Sequence, residues 1–550
     1  MPSVNRDLKV FISLWVIAFF CFLEGWNAGW ILDSIMHSYN VRDILCSEYL
    51  GLHIDNTIRL FYHFTYYWLE KLLGPKGWDW YLFKISLHSL NAFLFFKTAN
   101  RLLENYAKTS YGYIPYFSAI LFLLSPTSTD VVMYQASFHF MMAFALLQCC
   151  ILLFFRQLER VRLGNDFLFY TAFLLALFTL ETSYVLCIVM CLLIFFLSDK
   201  YVKIRRVLTF KYVLIPLVMT LVRILLNEII LQDLVGHYGA EKHFRFGIDR
   251  IIQNIAKIPL DLFGFIEYWD MKNIYAVYDI LYNHQYICLL AVLFFIIYFS
   301  LAYYVLKRDK SDKLFLLLLN ISLVFALPTL SLGILYIIPV EEDRYYYMYA
   351  PFVYMLGLLL LYRLSVGISY VAFFVLLVVG FLCLIKNVSN SALAQRIIDT
   401  SLAEFPFHKD KRYVILAMPV YANGVIVWDT KEPTDNPFDE RWQMMAKALK
   451  VTKNVVLHGK IASVLQYNVI SDKDAPIIEK LDSNAIRMTL PCCGKWWWKH
   501  NAGALDYQNE YFKVEILGGW QQEVKITFIN KPDDIVYLFQ DGTVFKEWKW

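Results

Sequence analysis

Long apolar stretches, each close to the length of a bilayer-crossing helix, alternate with short polar segments along most of this chain. A helix needs about 20 predominantly apolar residues to cross the hydrocarbon core. The pattern predicts about eleven spans before Lys386. They are Val10–Leu23, Trp80–Ala99, Tyr113–Leu124, Tyr134–Phe155, Phe167–Leu180, Tyr184–Leu197, Tyr212–Leu231, Tyr286–Leu306, Leu314–Ile338, Tyr346–Leu361 and Gly367–Ile385. Because no small-residue cleavage site follows the first stretch, we interpret it as a retained signal anchor.

The amino-acid composition also indicates a membrane protein. Hydrophobic residues make up 59% of the chain and charged residues 18%, too little polar surface for an ordinary soluble protein. The net charge of +4 gives no reason to expect a nucleic-acid partner. The 10 cysteines match neither a disulfide framework nor a zinc-binding spacing. The predicted fold class is therefore mainly α, a polytopic transmembrane helical bundle.

Basic residues predict the orientation of this bundle. They concentrate in alternate loops, which the positive-inside rule places in the cytoplasm. These residues are Arg101 and Lys108, then Arg156, Arg160 and Arg162, then Lys200, Lys203, Arg205 and Arg206, then Lys307, Arg308 and Lys310. The N-terminus is then cytoplasmic, whereas loops 24–79 and 232–284 and everything after Lys386 are extracytoplasmic. We interpret the chain as an integral multi-pass protein of a bacterial inner membrane.

The tail has a different pattern from the rest of the chain. After Lys386 it becomes charged, and its apolar residues form short strand-like runs such as RYVILAMP, GVIVW, VEILG, VKITFI and IVYLF. Asp541-Gly542 lies between two such runs and is a hairpin signal, since both residues tolerate positive φ. The predicted domains are a transmembrane domain, residues 1–386, and an extracytoplasmic α/β or β-rich domain, residues 387–550.

Ionisable residues recur at the predicted outer ends of the spans. They are Asp33, Asp55, Asp130, Glu181 and the run Glu341-Glu342-Asp343-Arg344, with Arg59, Arg223, Arg245 and Arg344 as candidate anion partners. An ionisable group at membrane depth costs at least a few kcal/mol, so it indicates function. A salt-bridge network remains the alternative for Arg344. The Tyr345–Tyr347 run is typical of an interfacial aromatic belt, and we expect His88 to bond within the bundle.

A series of short motifs follows in a fixed order along residues 9–365. They are Ile31-Leu32-Asp33-Ser34 in the first external loop, Arg59-Leu60 opening an amphipathic helix, Gly74-Pro75-Lys76-Gly77-Trp78, Ile85–Ala92 around His88, Ser125–Val132, Leu180-Glu181-Thr182 and Asp343–Pro351. In this order they resemble the GT-C superfamily of polytopic glycosyltransferases, in particular the branch related to protein O-mannosyltransferases. The chain departs from that pattern at Ser34, Leu60 and Ser125.

The resemblance implies an enzyme that moves a sugar from a polyprenyl-phosphate carrier to a protein, lipid or glycan acceptor at the membrane surface. It implies Asp33 as the general base, matched to the loop acid of the family. Arg344 is the first candidate for the carrier phosphate, with Arg245, Lys242, His243 and Arg59 as further candidates. Asp55, Asp130 and Glu181 are supporting acids. We predict no dedicated metal site; Mg or Mn is the divalent metal that these acids could bind.

Two other classes of function remain open at this point. A transporter or flippase for lipid-linked sugars predicts charges near the bilayer midplane and often an internal repeat. A non-catalytic envelope assembly protein would use the spans only to anchor the tail. The charges at the outer boundary argue against the first alternative, and the number of predicted spans argues against the second.

Overall fold

The structure is a computed structural model in which helices fill the first part of the chain and strands the last. It describes residues 2–30, 34, 37–38, 41, 44–54, 58–107, 111–197, 199–232, 258, 260–265, 313–332, 343–406, 408, 411–427, 461–469, 471, 473–490, 507–508, 512–517 and 523–549. The predicted span Tyr286–Leu306 and the loop 232–284, apart from a short piece around Leu262, lie outside these residues.

The described helices follow the predicted apolar stretches. They are α1 Pro2–Cys21, α2 Cys46–Ile54, α3 Leu60–Leu73, α4 Trp78–Tyr106, α5 Ile114–Leu123, α6 Thr129–Met133, α7 Phe138–Glu159, α8 Leu163–Leu177, α9 Leu186–Phe196, α10 Arg205–Thr209, α11 Ile215–Leu231, α12 Lys313–Leu332, α13 Asp343–Tyr346, α14 Ala350–Leu364 and α15 Val366–Ala403. Proline occupies the first turn of α5 and α14, where its missing N–H leaves no bond unmade.

Three stretches of continuous helix in the described part of the chain are long and apolar enough to span a membrane: Gln135–Glu159, Arg205–Leu231 and Val366–Ala403. The first is 78% buried over its most apolar window, whereas the other two are only 22% buried. Gln135–Glu159 therefore lies at the centre of the bundle, and the other two present apolar surface suited to lipid. The total of about eleven spans stays a prediction.

The predicted span Tyr113–Leu124 is not a simple helix. Ile114–Leu123 and Pro126–Met133 together have the composition of a span, but they are bent by 57°. Ser125 is extended because the ring of a following proline disfavours the helical region. The chain then turns through Gln135–Ser137 into α7, and all residues from 121 to 140 are buried. We call residues 124–137 the hairpin.

Side chains from neighbouring helices satisfy the backbone of this buried hairpin. The Nζ of Lys84 in α4 donates to the carbonyl of Met133 at 2.7 Å. The hydroxyl of Tyr62 in α3 donates to the carbonyl of Ala136 at 2.9 Å. Because a buried backbone group without a partner costs about 1–3 kcal/mol, these bonds fix where the hairpin lies.

The turn after α1 meets the hairpin at van der Waals distance. Gly29 has φ +95°, and its carbonyl accepts the Gln135 N–H at 3.0 Å. A Cβ at Gly29 would lie 1.6 Å from the carbonyl oxygen of Met133. Only glycine satisfies both the backbone conformation and the available space.

The tail forms two sheets, as its short apolar runs predicted. In the first, β1 (Arg412–Ala422) pairs in parallel with β3 (Ile461–Val469) and β9 (Ile535–Asp541) and antiparallel with β2 (Val425–Ile426), while β10 (Val544–Glu547) pairs with β9. The second is antiparallel, in the order β4 (Ile477–Lys480), β5 (Ala485–Thr489), β8 (Glu523–Phe528), β7 (Phe512–Ile516), β6 (Tyr507–Gln508). The predicted Asp541-Gly542 hairpin joins β9 to β10, with φ +62° at Gly542.

Helix α15 connects the two parts of the chain without a break. It continues past its apolar portion to Ala403, and its last turns join a second core with strands of the tail. Trp30 from the turn after α1 and Tyr134 and Ala136 from the hairpin belong to that same core. The tail is thus packed directly against the hairpin and the start of the first long loop.

Three glycine-to-alanine substitutions distinguish the stability cost of a steric clash from that of backbone strain. We expect Gly29→Ala to lower the free energy of unfolding by more than about 3 kcal/mol, because it combines positive φ with overlap against a backbone carbonyl. Gly74→Ala has positive φ but open space around its Cβ, so we expect a loss of about 1 kcal/mol. Gly51→Ala, inside α2 and open, is the control, and we expect it to stabilise by about 0.5–1 kcal/mol because alanine is the better helix former. Thermal melting of the purified variants in detergent ranks their stabilities. Equal melting temperatures for Gly29→Ala and Gly74→Ala would contradict the close approach of Gly29 to the Met133 carbonyl.

Candidate functional site

Arg59 and Glu181, both expected from the sequence, form an ion pair at the end of the bundle that carries the hairpin. Arg59 immediately precedes α3, and Glu181 opens the short helical turn before α9. The Arg59 Nε lies 3.1 and 2.9 Å from the two carboxylate oxygens, and Nη2 lies 2.7 Å from Oε2. The two side chains are only 8% and 12% exposed. This two-point geometry fixes the plane of the guanidinium.

Arg223 lies beside this pair. Its Nη2 donates to the carbonyl of Ile58 at 2.8 Å, one residue before Arg59, and its Nη1 donates to Asn227. Its charge interacts with those of both Arg59 and Glu181. Arg223 is 1% exposed although it belongs to a helix that otherwise presents apolar surface. A cation held this deeply beside an ion pair leaves the group with an excess of positive charge.

His139 connects this group to Arg344. It follows the hairpin at the start of α7 and is 8% exposed. Its Nδ1 bonds the Ala136 carbonyl at 2.8 Å, while its buried Nε2 has no hydrogen-bond partner among the described residues. The charges of both Arg59 and Arg344 act on this imidazole. His139 thus lies between the two cations and offers one uncommitted ring nitrogen.

Arg344 and Asp130 lie on elements in mutual contact. Arg344 belongs to α13, which packs against α6 and the preceding turn, where Asp130 is 8% exposed. The Arg344 guanidinium lies over the Tyr345 ring, 5.3 Å from its centroid, a cation–π contact. We call Arg59, Arg223, Arg344, His139, Glu181 and Asp130 the arginine cluster. It holds three arginines and two carboxylates, and two more buried acids bond to neighbouring elements: Glu70 accepts from Gln135 of the hairpin, and Asp261 accepts from the Tyr346 hydroxyl.

The backbone next to Asp33 is held against the hairpin, although Asp33 itself lies outside the described residues. Ser34 is fully buried, and its hydroxyl accepts the Ala136 N–H at 3.0 Å and donates to the Gly29 carbonyl at 3.3 Å. The Tyr66 hydroxyl reaches the Ser34 carbonyl at 3.4 Å. The expected roles of Asp55, Lys242, His243 and Arg245, which also lie outside those residues, stay predictions.

Two tyrosines of the predicted aromatic belt are inside the bundle. Tyr346 and Tyr347 are fully buried. The Tyr347 hydroxyl lies 2.8 Å from His88 Nδ1, and the His88 Nε2 reaches the Leu123 carbonyl at 3.1 Å. The belt interpretation is wrong for this run because the hydroxyl finds its partner inside the protein rather than in water. The expectation that His88 bonds within the bundle is confirmed.

Three histidines of the first long loop also meet, which the sequence analysis did not anticipate. One nitrogen from each of His37, His53 and His63 lies within 4.8 Å of the others. Burial lowers the pKa of His53 to about 4 and the pKa of His37 and His63 well below 6.5, and the charges of neighbouring imidazoles add to this for the latter two. All three rings are therefore neutral at pH 7. The available signal was that this loop holds three of the chain's 11 histidines.

Comparisons with known proteins give a structural similarity but no match in sequence. No family model and no curated protein matches the chain. Among solved structures, it is similar to ArnT from Cupriavidus metallidurans in the apo state, with 13% identity and a TM-score of 0.34 over 75% of this chain and 83% of that one. A TM-score of this size does not establish a shared fold, so the proposals below depend on contacts within this chain.

The Arg59–Glu181 pair predicts a non-additive pattern of stability. Glu181→Ala leaves a buried guanidinium beside a second cation, and we expect the free energy of unfolding to fall by about 3–5 kcal/mol. Replacing both residues by methionine removes the buried charges together, and we expect most of that loss to be recovered. Chemical unfolding in detergent measures both effects. A double variant no more stable than Glu181→Ala would contradict a pair coupled through buried charge.

Proposed function

We propose that this protein is a membrane glycosyltransferase that takes a sugar from a polyprenyl-phosphate carrier and transfers it to a protein, lipid or glycan acceptor. The observation that carries the proposal is the arginine cluster, which joins three arginines and two carboxylates at the end of the bundle beside the Asp33 loop. The reaction releases a phosphate that remains attached to a membrane lipid. Its charge requires cations held at the membrane boundary.

The proposed reaction assigns a role to each part of this cluster. An acceptor hydroxyl attacks the anomeric carbon of the sugar, and the bond from that carbon to the carrier phosphate oxygen breaks. The hydroxyl proton passes to the Asp33 carboxylate as general base. The bonding electrons leave with the phosphate, whose added charge Arg344 stabilises. Lys242, His243 and Arg245 are further candidates for contact with this phosphate.

Contacts within the chain support these assignments without involving Asp33 directly. Arg59 is held in a fixed plane by Glu181, and Arg223 adds positive charge beside it. Because the Nδ1 of neutral His139 donates to the Ala136 carbonyl, its Nε2 is an acceptor and could take a hydrogen bond from a sugar hydroxyl. Ser34 is bonded on two sides, so the backbone that carries Asp33 is anchored to the hairpin. Such preorganisation is what stabilisation of a developing charge requires.

The tail suggests how an acceptor would be presented. It shares a core with Trp30 and with Tyr134 and Ala136 of the hairpin, close to Ser34. We propose that residues 387–550 form an extracytoplasmic domain that covers the site and holds the acceptor. We also propose that the N-terminus is cytoplasmic and that the membrane is the bacterial inner membrane. Retention of full transfer after deletion of the strands beyond Ala403 would contradict the acceptor role.

The decisive measurement is transfer by the purified protein from a panel of radiolabelled polyprenyl-phosphate sugars to an envelope extract. We expect Asp33→Asn to lower the transfer rate by about a hundredfold to ten-thousandfold, since it removes a general base. We expect Asp7→Asn, which alters an acid paired with Lys97 before the first span, to transfer at the wild-type rate. Loss in both variants would indicate general damage.

Arg344 gives a separate test of the phosphate assignment. We expect Arg344→Ala to lower transfer by about a hundredfold, the usual effect of losing one donor to a developing charge. Arg344→Lys keeps the positive charge but lacks the planar guanidinium that donates two parallel hydrogen bonds, so we expect it to recover part of the rate. Arg363→Ala is the control, a cation in the last turn of α14. Full transfer by Arg344→Ala would overturn the assignment, and carrier flipping in liposomes without transfer would favour the transporter.

A further inference from the structure

We propose that His37, His53 and His63 form a binding site for a transition-metal ion of the zinc class, separate from the arginine cluster. One nitrogen from each ring lies within 4.8 Å of the other two. In a tetrahedral zinc site, Zn–N bonds of about 2.1 Å place the ligand nitrogens about 3.4 Å apart. The ligand nitrogens therefore need to approach by up to about 1.4 Å, and the stacked His53 and His63 rings, whose planes differ by 5°, must also rotate so that both point at one ion.

The three histidines come from three different segments of the first long loop. His37 lies three residues after Ser34, His53 lies near the end of α2, and His63 lies in the first turn of α3. The rings are already in contact, with centroids 4.3 Å apart for His53–His63 and 4.8 Å for His37–His53. Three segments that are separate in sequence thus bring their imidazole rings to one place.

The second observation concerns the nitrogens themselves. The Nε2 of His53 is buried and has no hydrogen-bond partner among the described residues. The Nδ1 of His37 lies 2.7 Å from the Tyr49 hydroxyl, which leaves its Nε2 for a metal. In known sites, a ligating histidine almost always uses its other ring nitrogen for a hydrogen bond of this kind. His53 therefore presents an open ligand atom, and Tyr49 orients the His37 ring.

Buried aromatic side chains surround the three histidines. Tyr49 and Tyr66 are fully buried, and their rings lie beside the His37 ring with centroids 6.0 and 4.7 Å away. A set of imidazole nitrogens favours Zn, Cu, Ni or Co over Mg, Ca or Mn, which prefer oxygen. The proposed ion therefore differs from the Mg or Mn that the acids of the arginine cluster could bind.

A metal at this point would act on the Asp33 loop. His37 is four residues from Asp33, and Ser34 between them is bonded to the hairpin. An ion shared with α2 and α3 would fix the other end of this turn. The proposed role is to clamp the first long loop onto α3, and it holds whether or not the chain transfers a sugar.

Cobalt binding tests the site directly. The full-length protein, purified in detergent with a tag that contains no histidine and stripped with a chelator, is titrated with Co²⁺. We expect one Co²⁺ per chain, visible d–d absorption of a four- or five-coordinate ion, and displacement by Zn²⁺ but not by Mg²⁺. We expect Zn²⁺ to raise the melting temperature of the stripped protein.

Variants assign the ligands. We expect His53→Gln and His63→Gln each to weaken Co²⁺ binding at least about tenfold. His408→Gln, in the tail and paired with Glu547, is the matched control and should bind as wild type. Wild-type affinity in folded His53→Gln, or no Co²⁺ absorption in the wild type, would overturn the site.

X-ray absorption at the zinc edge of the wild-type protein covers the case in which the variants do not fold. We expect a first shell of nitrogen and oxygen at about 2.0–2.1 Å with scattering from three imidazoles. A shell containing fewer than two imidazoles would overturn the site.

Discussion

The burial of the hairpin is the constraint on which the rest of the structure depends. Residues 121–140 contain two short helices, two tight turns and the backbone between them, all removed from water. Their polar backbone groups must therefore find partners on neighbouring elements. Lys84 from α4, Tyr62 from α3 and Ser34 from the first loop supply them. The hairpin thus fixes three elements that are far apart in sequence, and the residues of the arginine cluster lie around it.

This constraint also explains why charged residues gather at one end of the bundle. The hairpin ends two residues before His139, on which the charges of Arg59 and Arg344 act, and it begins beside the short helix that carries Arg344. A bent, re-entrant segment brings polar groups to the depth at which two straight helices would present apolar side chains only. The ion pair of Arg59 with Glu181 then keeps one cation oriented beside Arg223. Net positive charge in a buried polar setting is suited to an anionic group on a lipid.

The sequence predicted the apolar helices, the short strands of the tail and the Asp541-Gly542 turn because each depends on a local pattern. It also identified Arg59, Glu181, Asp130 and Arg344 as candidates, since an ionisable residue near an apolar stretch is conspicuous. It did not predict that Arg59 and Glu181 pair, that Ser125-Pro126 bends a span, or that His37, His53 and His63 meet. Those features depend on contacts between distant segments, and histidines spaced by 16 and 10 residues match no local metal motif. Tyr346 and Tyr347 were misplaced because aromatic runs suit both an interface and a packed core.

The long helix α15 couples the tail mechanically to the site. Beyond its apolar portion, Gln395 accepts the Trp30 N–H at 3.0 Å and Asp399 bonds Lys76 at 2.6 Å. The first loop is therefore held from three sides, by the hairpin, by α3 and by the end of α15. A movement of the tail sheets would be transmitted through α15 to the turn that precedes Asp33. Since Trp30 lies in the core shared with the tail, that turn cannot shift without repacking the core, and the loop and the tail must move together.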